Sequence, residues 1–453
     1  MAISVRPPSK PFDPSTYKTF RFLDREIDPE GRVSLRYALD DQLEFVERFE
    51  LPPGTHVSEE DRERVEGILT LLHLIAGVSY FKAAVPPSIE CEPVPSGVAS
   101  LLEAVYSEGL GEFAFTNGLD ALPRPAFPVR ETDVLSSEPG SNKRVLVPIG
   151  GGKDSAVALE IVRRAGRKLS LFSVGDAGPI ARTAAVAGLP HLVVRRKLDP
   201  ILGDLNRAGA LNGHVPITAI VSCVAILTAS LHGFDAVAMA NERSASMGNV
   251  SWGGIDVNHQ FSKSIRAETL MRTALNEVGA GVDYFSVLRP ASELAIAKAF
   301  TQLTAYHQAF SSCNTNFRLD GSVPSARWCC NCPKCRFVFL VMAPFSEPAH
   351  MREIFGRDML EDESQLAGFA LLTATGGLKP FECVGEEEES RAAIGMLESD
   401  PRWRDHRVVR RLSEQVLTGS ATDEASPEKA LQLSDEHTVP PELMASLRAL
   451  LGS

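Results

Sequence analysis

The chain has 453 residues, 44% of them apolar and 23% charged, which allows two or three domains with a large core and excludes wholesale disorder. Its 46 Lys and Arg against 58 Asp and Glu give a formal charge of −12, a poor match to nucleic acid or an anionic membrane, although a local basic pocket for phosphates remains open. The most apolar run, 215–231, contains Pro216, Thr218, Ser222, Thr228 and Ser230 and suits a buried helix better than a bilayer span. Residues 1–14 lack the apolar stretch of a secretory signal, so the chain is expected in the cytoplasm, with no membrane segment and reduced thiols.

Residues 1–140 read as an N-terminal α+β domain. Apolar and polar residues alternate at 20–23 and 33–49, as in Val33-Ser34-Leu35-Arg36-Tyr37, which predicts half-buried strands. Val65, Ile68, Leu71, Leu72 and Ile75 then fall at helical spacing within 60–78. A polar linker at 136–143, broken by Pro139 and Gly140, follows. Between 144 and 345 short apolar strands (144–149, 169–174, 191–195, 236–240) alternate with helical patterns (154–165, 180–187, 216–231). That order predicts an α/β domain: a doubly wound parallel sheet with helices on both faces and right-handed connections. The C-terminal region, 346–453, reads as mainly helical. Its acidic run at 386–389 is expected to be a solvated helix start, and the polar stretch 418–441 a loop.

The strongest local signal is Pro148-Ile149-Gly150-Gly151-Gly152-Lys153-Asp154-Ser155, placed between the first strand of the parallel sheet and the helix after it. Ligands of open α/β sheets bind at this strand edge. Gly150, Gly151 and Gly152 let backbone N–H groups approach phosphate oxygens, and the helix adds its positive end. Lys153 supplies a point charge, Ser155 a hydroxyl donor, and Asp154 either holds Mg²⁺ or caps the helix. A Walker loop needs Ser or Thr directly after Gly-Lys, where Asp154 stands; a dinucleotide fingerprint needs glycine where Ser155 stands. The competing reading is a tight strand–helix turn with no ligand. The loop resembles the Ser-Gly-Gly-x-Asp-Ser loop of the N-type ATP pyrophosphatases, with Gly150 in place of the first serine. That resemblance implies ATP cleavage between the α and β phosphates and adenylation of a substrate oxygen. It also implies that Asp176, after the second strand, meets adenine or ribose; a loop-capping role is the alternative.

Five of the eight cysteines fall between 313 and 335. Cys329, Cys332 and Cys335 are spaced Cys-x2-Cys-x2-Cys, and Cys313 lies sixteen residues before the first of them. Four such thiolates suit a closed, structural Zn²⁺ site; buried or redox-active thiols are the alternative. Cys330 is an alternative ligand to Cys329. The arrangement resembles 7-cyano-7-deazaguanine synthase, another N-type ATP pyrophosphatase. There a Pro-x-x-x-x-Glu helix, a Ser-Cys and the same knuckle follow the nucleotide core. Here they are Pro290-Ala291-Ser292-Glu293, with the glutamate early, then Ser312-Cys313 and the knuckle. This likeness spans roughly residues 144 to 345.

Three further stretches are dense in polar and reactive groups: Asn241-Glu242-Arg243-Ser244, Asn258-His259-Gln260-Phe261-Ser262-Lys263-Ser264 and Leu378-Lys379-Pro380-Phe381-Glu382-Cys383-Val384-Gly385. With the glycine loop, the knuckle and the N-terminal domain, they make nearly the whole chain similar to the UDP-N-acetyl-α-D-muramoyl-L-alanyl-L-glutamate epimerases of peptidoglycan synthesis. The resemblance implies a UDP-linked muramoyl peptide as substrate, with ATP and Mg²⁺. It implies inversion of the terminal L-Glu through an adenylated carboxylate, releasing AMP and pyrophosphate. Asp154 and Lys153 serve the nucleotide chemistry in this reading, and Cys383, His259, Glu242 and Lys263 are the proton-transfer candidates. Each also has an ordinary role open to it, as buried hydrophobe, loop hydrogen-bonder, helix cap or solvated charge. Lys263 and Arg266, three apart on an expected helix, and Arg243 are candidate clamps for UDP or the glutamate carboxylates. The alternatives are an adenylating ligase that amidates or thiolates its substrate, and a non-catalytic nucleotide or zinc module.

Overall fold

The computed structural model describes residues 11–131, 143–317, 326–377, 379–416 and 426–452. The expected linker, except Lys143, and residues 418–425 of the expected C-terminal loop lie outside the described residues, as do residues 1–10. The strands are β1 Thr19–Ile27, β2 Arg32–Leu39, β3 Leu43–Glu50, β4 Ser88–Glu90, β5 Arg144–Pro148, β6 Lys168–Val174, β7 His191–Lys197, β8 Ala236–Met239, β9 Val250–Trp252, β10 Ile255–Val257 and β11 Asp283–Ser286. Backbone contacts divide the chain into two compact units.

The first unit takes its described residues from Met1–Arg144, Leu192–Val237 and Ser251–Tyr284. Its strands run in the order β7-β3-β2-β1-β4, with β1, β2, β3 and β7 successively antiparallel. The alternation over 33–49 is not one strand but two. Asp40 turns the chain with a φ of 49° and accepts the Thr19 amide at 2.8 Å, which ties the turn to β1. Alternate residues Phe20, Leu35, Tyr37, Phe45 and Phe49 are buried, as period two requires. The Tyr37 hydroxyl donates to the His73 carbonyl at 3.1 Å and the Tyr106 hydroxyl to that of Leu74 at 2.7 Å, so neither phenol is buried unpaired. Helix Arg62–Ala76, with the short turn to Phe81, is long and apolar enough to cross a membrane by length and composition. Its apolar window is 78% buried in the protein, and within this unit it packs on helix Ile217–Leu231.

The second unit comprises Val145–His191, Ala238–Val250 and Phe285–Ser453, as far as described. Its strand order is β11-β8-β5-β6, with β8 and β11 entering by residues 238–239 and 285–286. The Asp283 amide donates to the Asp235 carbonyl at 2.8 Å and the Val287 amide to that of Met239 at 2.9 Å. Equal advance along both strands makes this pair parallel. The helices Lys153–Arg164 and Gly178–Ala187 follow β5 and β6, as the alternating pattern predicts. This is the α/β, largely parallel architecture expected from sequence, with a helical C-terminal region from Pro348 to Leu451. Trp403, fully buried with its indole N–H donating to the Ser346 carbonyl at 3.1 Å, anchors that region.

Candidate active site

The three glycines of the loop do three different things. Gly151 has a φ of +78°, and a Cβ there would lie 2.6 Å from the Pro179 carbonyl carbon, so both backbone and space demand glycine. A Cβ on Gly152 would meet Ser312 Oγ at 2.7 Å, whereas one on Gly150 would meet nothing within 4 Å. Gly152 is also the N-cap of helix Lys153–Arg164, and no side chain caps it, so the first-turn amides stay available to an anion. Asp154 stands in that first turn without capping it. The Ser155 hydroxyl donates to the Gly152 carbonyl at 3.0 Å and holds the turn. Asp176 is exposed just after β6.

Lys153 is 1% exposed, and its Nζ contacts Asp154 Oδ1 and Glu293 Oε2. Glu293 opens helix Glu293–Thr301 and is 5% exposed; its amide donates to Glu389 Oε1 at 3.2 Å. Burial works against the charge on Lys153, but Asp154 and Glu293 more than offset it and hold the ammonium above its ordinary range. Burial, and then Asp154, push Glu293 well above the carboxylate range, with Glu242 and Glu389 adding to the effect. Burial and the neighbouring Glu386 carry Glu389 to about 8, and its Oε2 has no hydrogen-bond partner. The crowding of carboxyls thus favours the protonated form of the buried ones, and Asp154, with 31% of its side chain exposed, is the member open to solvent. The acidic run 386–389 is therefore not simply a solvated helix start. Helix Glu387–Ser399 does begin there, but Glu389 turns inward past Gly385, where a Cβ would sit 2.3 Å from its Oε2. Glu242 is 3% exposed, and its carbonyl accepts from Arg289 at 2.7 Å. Arg243 NH1 donates to the Gln432 carbonyl at 3.0 Å.

The thiols of Cys313, Cys329, Cys332 and Cys335 converge within 4.8 Å of one another, which suggests a structural metal site. Cys332 and Cys335 Sγ are 3.4 Å apart, and the Cys329 amide donates to Cys313 Sγ at 3.3 Å. Hydrogen bonds from Cys332 and Cys335 pull the Cys313 thiol below its ordinary range. Cys330, with a φ of +52°, points its thiol at the Phe355 carbonyl 3.3 Å away and stands outside the group. Geometry thus separates Cys329 from Cys330, which spacing does not. The segment before Cys313 also reaches the glycine loop: the Ser311 amide donates to the Gly151 carbonyl at 2.9 Å, and its hydroxyl to that of Arg327 at 2.8 Å. Asn314 Nδ2 donates to Glu382 Oε1 at 2.6 Å, beside half-buried Cys383.

His259, Lys263 and Arg266 belong to the first unit. His259 Nδ1 contacts Glu112 Oε2. Lys263 and Arg266 do not share a helix. Lys263 ends a 3₁₀ turn, and Ser264 then caps helix Ile265–Glu277 by accepting the Ala267 amide at 3.1 Å. Lys263 Nζ donates to Gln260 Oε1 at 3.2 Å, and the Arg266 guanidinium grips Glu108 at 2.8 Å. Sequence reasoning named Glu293 through its motif but not its contact with Lys153. It missed Glu389, Glu112 and His214, whose partners lie far away along the chain.

Fold and site define an α/β protein with a glycine loop at a parallel sheet edge, a buried lysine–carboxylate cluster and a four-cysteine centre. The chain belongs to the MurL family: the MurL N-terminal domain matches residues 11–287 and the MurL C-terminal domain residues 309–427. It is 42% identical over 445 residues to the UDP-N-acetyl-alpha-D-muramoyl-L-alanyl-L-glutamate epimerase of Xanthomonas oryzae pv. oryzae, covering 97% of this chain and 98% of that one. Proteins of the same name from a Micromonospora strain and from Salinispora tropica are 43% and 45% identical, over 94% and 85% of this chain and 97% and 86% of theirs. No solved structure matches the chain.

The glycines should differ under substitution. Gly151→Ala is expected to lower stability by about 1–3 kcal/mol, through φ strain and backbone overlap. Gly150→Ser should melt within about 1 °C of the parent, because its new side chain meets open space; equal melting of both variants in calorimetry would contradict this loop geometry. Glu389 sets a pH dependence. Its carboxyl stays protonated in the folded protein up to about 8, while in the unfolded chain it ionises near the ordinary glutamate value of 4.5. Below that lower value both states are protonated, and stability is then lost as pH rises through the window. Glu389→Gln, neutral throughout, should gain on the parent between pH 5 and 8, by at most about 5 kcal/mol at roughly 1.4 kcal/mol per tenfold change in proton affinity. Parallel melting curves across that range would remove Glu389 from this role.

Proposed function

We propose that this chain inverts the terminal L-glutamate of UDP-N-acetylmuramoyl-L-alanyl-L-glutamate to D-glutamate, consuming ATP and releasing AMP and pyrophosphate. The observation that carries the reading is the near-full-length match to relatives that bear this epimerase name. The glycine loop supports the ATP requirement, because its open amides and uncapped helix start suit a polyphosphate.

The reaction has a physical reason for ATP. Removing the α-proton beside an ionised carboxylate would put two negative charges on neighbouring atoms. In the proposed course the substrate carboxylate oxygen attacks the α-phosphorus of ATP, and pyrophosphate leaves. The resulting acyl adenylate acidifies the α-carbon. One side chain takes the α-proton, another returns a proton to the opposite face, and water then cleaves the acyl–phosphate bond to give D-glutamate and AMP. Asp154, partly open, and Glu293 are the residues that would hold Mg²⁺, which when bound screens the phosphate charge. Gly150, Gly151, Gly152 and Ser155 shape the turn on which the phosphates rest, and Asp176 is the proposed contact to adenosine. For the proton transfers we propose Cys383 and Glu242, since the third candidate, His259, is engaged by Glu112, and for anionic groups of the substrate Arg243 and Lys263. Arg266 would have to exchange Glu108 for substrate. Four thiolates favour zinc as the ion of the cysteine centre, in a closed site that leaves no position for chemistry. A nucleotide-linked precursor as substrate fits an enzyme of the cytoplasm.

Incubation of purified protein with Mg·ATP and the L,L-precursor should yield D-glutamate by chiral analysis, with AMP and pyrophosphate. Asp154→Ala should abolish AMP release. AMP with unchanged L-glutamate and a new amide would favour a ligase, and inversion at full rate with an α,β-methylene nucleotide would refute the adenylate. For the cysteine centre, Cys329→Ser should lose one equivalent of zinc relative to the parent by elemental analysis and melt at lower temperature. Cys330→Ser should lose none; the reverse pattern would exchange their roles.

A further inference from the structure

We propose that Glu112, His214 and His259 form a second metal site, one that takes a divalent ion of the zinc class and keeps a coordination position open. The three residues come from separate stretches of the first unit. Glu112 lies on helix Gly111–Thr116, His214 just before helix Ile217–Leu231, and His259 between β10 and the turn Phe261–Lys263. One ligand atom from each lies within 4.8 Å of the other two. His214 Nδ1 is 3.6 Å from Glu112 Oε2, and His259 Nδ1 contacts the same oxygen. The two imidazole rings are 4.4 Å apart between centroids.

A histidine that only ties down a loop needs one partner. Here both imidazoles turn the same ring nitrogen toward one carboxylate oxygen. Ligands bound at about 2.0–2.2 Å in a tetrahedral shell stand roughly 3.5 Å apart, close to the spacing of His214 Nδ1 and Glu112 Oε2. Two nitrogens and one carboxylate oxygen suit zinc, cobalt or nickel better than the all-oxygen ions magnesium and calcium. Three protein ligands leave room for water or for an oxygen of a bound molecule. The side chains are 20%, 15% and 14% exposed for His214, His259 and Glu112, so an ion has a way in and a shielded place to stay. The Lys263 ammonium is close enough to His214 to oppose a cation, and the Glu112 carboxylate is the charge that offsets it.

The test uses the full chain, stripped of metal by chelator and reloaded with Zn²⁺ or, separately, Co²⁺. The parent should bind one more equivalent of zinc than either His214→Ala or Glu112→Gln. With cobalt, both variants should keep the thiolate-to-metal absorption of the cysteine centre while losing one bound ion. Equal metal counts in parent and variants would overturn the proposal. Should both variants fail to fold, the cobalt-loaded parent decides. A bound equivalent beyond that accounted for by thiolate absorption, and retained in Asp154→Ala, supports the site, and cobalt bound only with thiolate absorption overturns it.

Discussion

The second unit is organised around a single buried ammonium. Lys153 Nζ reaches Asp154 and Glu293, and Glu293 is tied in turn to Glu389. A charge removed from water at this depth is tolerated only with partners close by. Lys153 has carboxyl partners in excess, and the excess is met by driving the most buried of them, Glu293 and Glu389, toward their protonated forms. The start of helix Lys153–Arg164 offers the opposite polarity, with uncapped amides beside the glycine turn. The site therefore presents donors for an anion and, next to them, carboxylates that a cation would relieve. A metal-bound polyphosphate would meet both halves at once, its phosphates at the amides and its cation at partly open Asp154.

The cysteine centre bears on this site through the backbone. Ser311 donates its amide to Gly151 and its hydroxyl to Arg327, and Asn316 Nδ2 donates to the same Arg327 carbonyl at 2.9 Å. Cys313 and Cys329 thus flank a small frame that fixes one side of the glycine turn. An ion bound by the four thiols would stiffen that frame, so a structural metal would govern the turn geometry without touching substrate. Ser312 limits the approach from the other direction, because Gly152 leaves it the room that a side chain would fill.

The parts legible in the sequence are those whose causes are local. Strand–helix alternation from 144 onward and the glycine turn depend on neighbours a few residues away, and both appear where the pattern puts them. Failures occur where a distant partner decides. The acidic run at 386–389 reads as solvated until Gly385 and the Glu293 amide, 96 residues away, draw Glu389 inside. Spacing leaves Cys329 and Cys330 equivalent; the positive φ of Cys330 and its turn toward Phe355 separate them. Lys263 and Arg266 look like neighbours on one helix, but Ser264 begins the helix between them. Glu112 and His214 carry no motif, and their convergence with His259 is a property of tertiary structure alone.

For the proposed epimerisation, this charge arrangement limits how the substrate can be held. The precursor brings a diphosphate and carboxylates, all anionic, to a chain of net charge −12. Diffuse attraction cannot gather such a ligand, so binding must rest on a few short-range donors. Arg243 and Lys263 are the proposed donors of this kind for the precursor, while the glycine-turn amides would serve ATP without adding formal charge. Transfer of AMP to the substrate carboxylate would then remove charge where proton abstraction needs it removed. In the proposed course the energetic role of ATP would be to take the charge off the substrate carboxylate rather than to drive an unfavourable inversion, since the two glutamate epimers differ little in free energy.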